Sequence, residues 1–182
     1  MNDDKLLTRI GALLRKAEGT DNEHEAAAFT EAAQRLATAA SIDLAVARAH
    51  HRSASDGSAV PEQRTVRIGE AGKRGLRTYV ELFVAIARSN DVRCDIAANS
   101  TFVFAYGFGA DIDACEALYA SLVIQMVRAS DHYIKSGAYR GETVDQLYED
   151  RHTGRRWVES KPVAAVTARI NFQTAFAARI GA

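Results

Sequence analysis

The chain has 182 residues, enough to bury a sizeable hydrophobic core. Lys and Arg together number 23, and so do Asp and Glu, so the formal net charge is zero. This balance excludes a protein that coats nucleic acid through bulk charge, but it allows a local basic patch.

Three features of the sequence indicate the cellular compartment of the protein: its cysteines, its N-terminus and its hydropathy. Cys94 and Cys115 lie in apolar runs and are expected to be buried, reduced thiols. Asp3 and Asp4 precede the first apolar residues, which is unlike the basic start of a signal peptide. No apolar run approaches the roughly 20 residues of a membrane span. We therefore expect a cytoplasmic protein without a membrane partner.

Apolar residues at helical spacing predict a helical hairpin in residues 1–52. The first helix covers residues 6–18. Asn22 and Glu25 resemble a capping box at the start of the second helix, and Ser41 is expected to start a short third helix that ends near His51. The stripe of the second helix is rich in alanine, which predicts close approach to the first. The two stripes are Leu6, Ile10, Leu13, Leu14 and Ala17, and then Ala26, Phe29, Ala33, Leu36 and Ala40.

Residues 53–63 are small and polar and include Pro61, as is typical of a linker. We place the domain boundary here, between the hairpin module and a second domain of residues 64–182. The second domain begins with a predicted edge strand over residues 64–68 and a glycine-rich loop over residues 69–75.

The rest of the second domain alternates helices with short strands. A helix that ends near Asn90 is followed by strands over residues 92–96 and 101–106, which should pair as a hairpin. A long helix runs from Ile112 to Tyr133, a short helix is expected over residues 142–149, and Pro162 opens the last helix. The inward residues are expected to be Tyr79, Leu82, Phe83 and Ile86, then Ile112, Cys115, Leu118 or Tyr119, Leu122, Met126, Ala129 and Tyr133, and finally Val166, Ile170, Phe176 and Ile180. The predicted fold class is α+β, a small antiparallel sheet packed on long helices.

The first helix, the Thr/Asn-containing turn, the Ala33-Gln34-Arg35-Leu36 run and the closing Ile42-Asp43 resemble the bacterial and phage family of unknown function numbered 2786. The remainder is similar to the companion domain often fused to it, through residues 79–82, residues 106–109, the helix around Tyr119 and residues 176–180. The resemblance implies occurrence in bacterial genomes, phages and mobile elements. It implies no reaction and no catalytic residues.

Two basic segments are the candidate binding residues. The first is the segment 64–77, which contains Arg64, Arg67, Lys73, Arg74 and Arg77. The second is the segment 151–157, which contains Arg151, Arg155, Arg156 and Trp157, the only tryptophan of the chain. Cations contact phosphates and an exposed aromatic ring stacks on a base. The alternative to a binding role is that the charged side chains of both segments are simply solvated and that Trp157 packs onto the core.

Carboxylates at the start of the long helix are the other candidate. Asp113 and Glu116 share a helix face with Asp111 close by, and they could hold a divalent cation. His24 and Glu25 lack the second histidine of a zinc-protease motif, so helix capping accounts for that pair.

The leading hypothesis is a non-enzymatic protein whose two basic segments bind nucleic acid or an acidic protein surface, without a cofactor. One alternative is a hydrolase or nuclease that uses a divalent metal at the carboxylates or at His24 and Glu25. The other is a phage or host factor that acts only through protein contacts of the hairpin.

Overall fold

The computed structural model describes residues 3–52, 60–72 and 75–181, with the side chains of residues 6–39, 60–72 and 75–181. The described elements confirm the predicted α+β class. In chain order they are α1 (Asp3–Gly19), α2 (Glu23–Arg52), β1 (Glu62–Arg67), α3 (Leu76–Arg88), β2 (Arg93–Ile96), β3 (Phe102–Gly107), α4 (Gly109–Ser136), β4 (Thr143–Glu149), β5 (Arg156–Pro162) and α5 (Ala165–Ile180).

The predicted helical hairpin is present as α1 and α2, which pack against each other. Asn22 caps α2, since its Oδ1 accepts the backbone N–H of His24 at 3.0 Å. The Glu25 carboxylate accepts the Thr20 hydroxyl at 2.8 Å. The predicted break at Ser41 is wrong, because α2 continues to Arg52. Alanine-rich sequence with no Gly or Pro surrounds Ser41 and favours propagation of the helix over a new start.

The hairpin and the rest of the described chain share one hydrophobic core. α1 lies against α4 and β1, and α2 lies against α4. Gly11 permits a close approach, because a Cβ there would lie 3.1 Å from the carbonyl oxygen of Ile68. At the centre, the rings of Phe83 and Tyr119 meet edge to face with centroids 5.6 Å apart. Of the predicted stripes, Tyr79, Leu82, Phe83, Ile86, Ile112, Cys115, Tyr119 and Met126 are buried, whereas Leu118 is exposed.

The first sheet is antiparallel with the strand order β1-β3-β2. It confirms the predicted hairpin of β2 and β3 and adds β1 on the other edge of β3. β1 starts at Glu62, so the last two residues of the predicted linker belong to the strand. Residues 53–59 lie outside the described residues.

The predicted helix over residues 142–149 is wrong. β4 and β5 form a separate two-stranded antiparallel sheet that runs from Thr143 opposite Pro162 to Glu149 opposite Arg156. The β-branched and aromatic residues of both segments favour extended backbone. We call this sheet with its connecting loop, residues 143–162, the β-ribbon.

The last helix also differs from its prediction. Pro162 ends β5, and α5 begins at Ala165. Val166 and Ile170 were expected to face inward but are 50% and 36% exposed. The buried residues of α5 are Ala168, Gln173 and Ala177, while the predicted Phe176 and Ile180 are half-buried against the core. The two alanines allow this helix to approach α3 and α4 closely.

Within the described part of the chain, no helix combines the length and apolar character needed to cross a membrane. Both cysteines are free thiols. Cys115 is buried and Cys94 half-buried, and burial raises the pKa of Cys94 to about 11 and that of Cys115 to about 12. Both thiols are therefore protonated at neutral pH.

Replacement of Ala33 tests the alanine contact of the hairpin. Ala33 is fully buried, so we expect Ala33→Leu to lower the free energy of unfolding by about 1–3 kcal/mol through overpacking. Urea unfolding measures the change. Ala28→Leu is the matched control, because Ala28 is exposed on the same helix and its replacement should have little effect. Equal effects of the two substitutions would contradict the packing described here.

Candidate nucleic-acid interface

Arg64, in the first basic segment, is engaged by three carboxylates. Its guanidinium lies 2.5 Å from Asp113, 2.6 Å from Glu62 and 3.3 Å from Glu116. Burial alone would lower the pKa of Arg64, but the hydrogen bond to Asp113 and the charges of Glu116 and Glu62 raise it above its ordinary value. The ion pairs join β1 to α4. Arg64 therefore stabilises the fold and offers little free charge to a phosphate.

The other cations of this segment are dispersed. Arg77 forms an ion pair with Glu81 one turn along α3, at 2.9 Å. Arg67 is exposed on β1 and lies opposite Phe102. Lys73 and Arg74 lie outside the described residues. Gly72 and Gly75 have φ of +79°, a conformation that favours glycine, so turn geometry accounts for these two glycines of the loop.

The carboxylates suggested for a metal ion are already in contact with a cation. Asp113 and Glu116 both accept hydrogen bonds from Nη1 of Arg64. α4 begins at Gly109, which places Asp111 in its first turn. Glu25 and the backbone of His24 take part in capping α2. Among the described residues, no group of three His, Cys, Asp or Glu side chains is placed to hold a metal ion.

The second basic segment forms the end of the β-ribbon. Asp150 nucleates the turn, because its Oδ1 accepts the backbone N–H of His152 at 2.8 Å and that of Thr153 at 3.2 Å. These bonds lower the pKa of Asp150. Gly154 has φ of +69°, and the backbone N–H of Asp150 closes the loop on the carbonyl of Arg155. The signal that could have identified this hairpin from the sequence is the run of beta-formers on both sides of the Asp-to-Gly turn.

Charge is segregated along the β-ribbon. Residues 150–157, which we call the ribbon tip, carry Arg151, Arg155 and Arg156 against the single acid Asp150. Arg156 is paired with Glu149 at 2.9 Å, whereas Arg151 and Arg155 form no ion pair with a described residue. The rest of the ribbon is acidic, with Asp145, Glu149 and Glu159 against Lys161.

Trp157 is not part of the core. It is 46% exposed and stacks on Tyr148 of the neighbouring strand, with centroids 5.7 Å apart and ring planes inclined by 20°. The ammonium of Lys161 lies 4.8 Å from the centroid of the same tyrosine ring. One face of Trp157 is therefore covered by Tyr148, beside the arginines of the ribbon tip.

A buried polar cluster joins four helices and was not anticipated from the sequence. Glu18 of α1 accepts the Tyr79 hydroxyl at 2.8 Å and the Gln173 amide at 2.7 Å. The same amide donates to the Ser130 hydroxyl at 3.2 Å, and the Thr78 hydroxyl donates to the side-chain Oε1 of Gln173 at 2.8 Å. We call these five residues the Glu18 cluster. The isolated polar positions gave no signal of it, because their partners lie on different helices.

Burial raises the pKa of Glu18, although the hydrogen bonds from Tyr79 and Gln173 and the charge of Arg169 oppose this effect. Burial also raises the pKa of Tyr79 well above its ordinary value, as does the adjacent Glu18. The tyrosine hydroxyl consequently stays protonated and donates to Glu18.

A groove of about 380 Å³ opens between the hairpin and α4. Its charged lining is mainly acidic, with Glu18, Glu23, Glu31 and Asp131 against Arg128 and Lys135. Lys135 already pairs with Asp131 at 3.0 Å. This acidic groove is unsuited to a polyanion.

Comparison with family models gives a match over residues 5–44 to a family described as a protein of unknown function (DUF2786). The match covers most of the hairpin and supports the resemblance of the N-terminal segment. Comparison with curated proteins and with solved structures gives no match.

Replacement of Glu18 tests the raised pKa of its carboxyl group through the pH dependence of the free energy of unfolding. A carboxyl whose folded-state pKa exceeds its unfolded value of 4.5 takes up its proton more readily in the folded protein. Its contribution to stability is therefore greatest below pH 4.5 and falls as the pH rises through the raised pKa. We expect the free energy of unfolding of the wild type, relative to Glu18→Gln, to decrease over this window in urea titrations at several pH values.

Glu31→Gln provides the control, since the Glu31 side chain is 69% exposed. The difference in free energy of unfolding between wild type and Glu31→Gln should therefore change little with pH. A difference between wild type and Glu18→Gln that is constant with pH would contradict the raised pKa.

Proposed function

We propose that this protein binds nucleic acid and that the ribbon tip makes the contact. The observation that carries the proposal is that Arg151 and Arg155, which form no ion pair with a described residue, lie near an exposed tryptophan at the end of a ribbon whose two strands pack mainly on each other. Residues in such a position are not needed for the hydrophobic core.

The availability of cations makes the ribbon tip a better contact for nucleic acid than the first basic segment. Arg151 and Arg155 are exposed and free of ion pairs to described residues, whereas Arg64 and Arg77 are held by carboxylates. Phosphate contacts supply most of the affinity of non-specific nucleic-acid binding, and they require available cations. The acidic strands behind the tip repel phosphates, so contact is restricted to the end of the ribbon.

The dimensions also suit the proposal. A two-stranded ribbon fits the major groove of B-DNA, which is about 12 Å wide. On a single strand, the free face of Trp157 would instead stack on a base. The neutral net charge of the chain predicts moderate affinity with a small number of phosphate contacts.

The setting that we infer is a bacterial or phage-infected cytoplasm, with residues 64–182 as the companion domain. This inference rests on the resemblance of the N-terminal and C-terminal segments described above. The binding role that we propose is non-enzymatic.

Removal of the two free arginines tests the proposal. We expect Arg151→Ala/Arg155→Ala to weaken binding of labelled single- and double-stranded DNA and RNA, measured by fluorescence anisotropy. Each lost phosphate contact should also reduce the slope of log affinity against log salt by about one. The titrations therefore run from about 50 mM to about 200 mM salt.

Arg35→Ala/Arg179→Ala is the matched control, because it removes equal charge from exposed positions on α2 and α5. Its affinity and salt slope should stay closer to those of the wild type. Absence of wild-type binding at low salt, or equal losses in both double variants, would overturn the proposal. Binding of acidic polypeptides in place of nucleic acid would identify an acidic protein surface as the partner.

A further inference from the structure

The outer face of the three-stranded sheet carries a row of aromatic rings. Side chains alternate along β3, so that Val103 and Ala105 are fully buried, while Phe102, Phe104 and Tyr106 lie on the opposite face. Phe102 and Phe104 are half-buried and meet edge to face with centroids 5.0 Å apart. Tyr106 is 36% exposed.

The described helices contact the opposite face of the sheet. α1, α3 and α4 contact the sheet, and the burial of Val103 and Ala105 places them on the inner face. β3 is the central strand, so the rings occupy the middle of the outer face. Apolar side chains in the middle of an uncovered sheet face are typical of a binding surface.

Cations lie at both ends of the aromatic row. Arg67 of β1 is opposite Phe102, and Arg93 of β2 is opposite Tyr106. Both arginines are exposed. Asp95 lies opposite Phe104 on the same face.

We propose that Phe102, Phe104 and Tyr106 form a stacking surface for the bases of single-stranded nucleic acid. Alternate residues of a strand are about 6.8 Å apart, a spacing that an extended single strand can match with successive bases. Base stacking on aromatic rings tolerates any sequence, and cations beside the rings contact the phosphates. The proposal deepens the proposed function, in that it rests on nucleic-acid binding and names single strands as the substrate class.

The composition of the face favours a nucleic acid over a protein partner. All apolar side chains that β3 presents outward are aromatic, and the facing residues of β1 and β2 are polar or charged. Bases stack on rings and phosphates pair with arginines, so such a face matches both parts of a nucleotide chain. A duplex keeps its bases stacked on each other and would gain nothing from the rings.

Replacement of Phe104 and Tyr106 by leucine tests the stacking surface. Phe104→Leu/Tyr106→Leu keeps apolar side chains on the strand but removes two aromatic faces. We expect the affinity for a labelled oligothymidine of about 12 nucleotides to fall about tenfold for each ring removed. Affinity for a duplex of equal length should change less than twofold. Phe104→Tyr is the control, because it keeps the ring and should bind as the wild type does.

Comparison with the ribbon variant separates the two proposals. Loss of oligothymidine binding in the leucine variant, with an unchanged thermal unfolding midpoint and duplex affinity, supports the stacking surface. Unchanged oligothymidine affinity in the leucine variant overturns it, and the ribbon proposal then stands if Arg151→Ala/Arg155→Ala still weakens binding. Absence of any nucleic-acid binding by the wild type overturns both, and capture of a protein by the aromatic face would overturn the stacking surface.

Discussion

The fold depends on the Glu18 cluster, where α1, α3, α4 and α5 meet. The amide of Gln173 is almost fully buried, yet it reaches acceptors on two helices and a donor on a third. A buried amide without partners would cost more than its hydrogen bonds contribute, so these helices have few alternative arrangements that satisfy it. Glu18 is the member from the hairpin, and through it the hairpin is tied to the α+β part of the chain.

The position of the helices decides which surfaces remain for binding. Because the helices gather around the Glu18 cluster on one side of the first sheet, the aromatic face of β3 is left outside. The β-ribbon does not pack on the hydrophobic core, so its two strands must be stabilised mainly by their contacts with each other. An isolated two-stranded ribbon is marginally stable in water. The capped turn at Asp150 and the stacked pair of Tyr148 and Trp157 supply local stabilisation.

A cluster of basic residues in the sequence need not offer free positive charge in the folded protein. The segment 64–77 is the more basic of the two in the sequence, yet Arg64 is saturated by carboxylates from β1 and α4. The segment 151–157 has fewer cations, but the ribbon separates Arg151 and Arg155 from the acids of the core. A cation on a projecting turn keeps its charge for a ligand, whereas one beside the start of an acidic helix is neutralised by it.

The sequence by itself determined the helical hairpin, the stripes of α3 and α4 and the pairing of β2 with β3, because helical and strand periodicity are local properties of the chain. It also contained the beta-formers and the turn of the β-ribbon, although the prediction over residues 142–149 is a helix. Only the tertiary structure decided that Gln173 is a buried linking residue, that Arg64 is neutralised and that the aromatic face of β3 is open. Each of these depends on distant residues, as with Arg64 and Asp113, which are 49 positions apart. Such pairings follow from how the helices pack, and no local pattern in the chain specifies them.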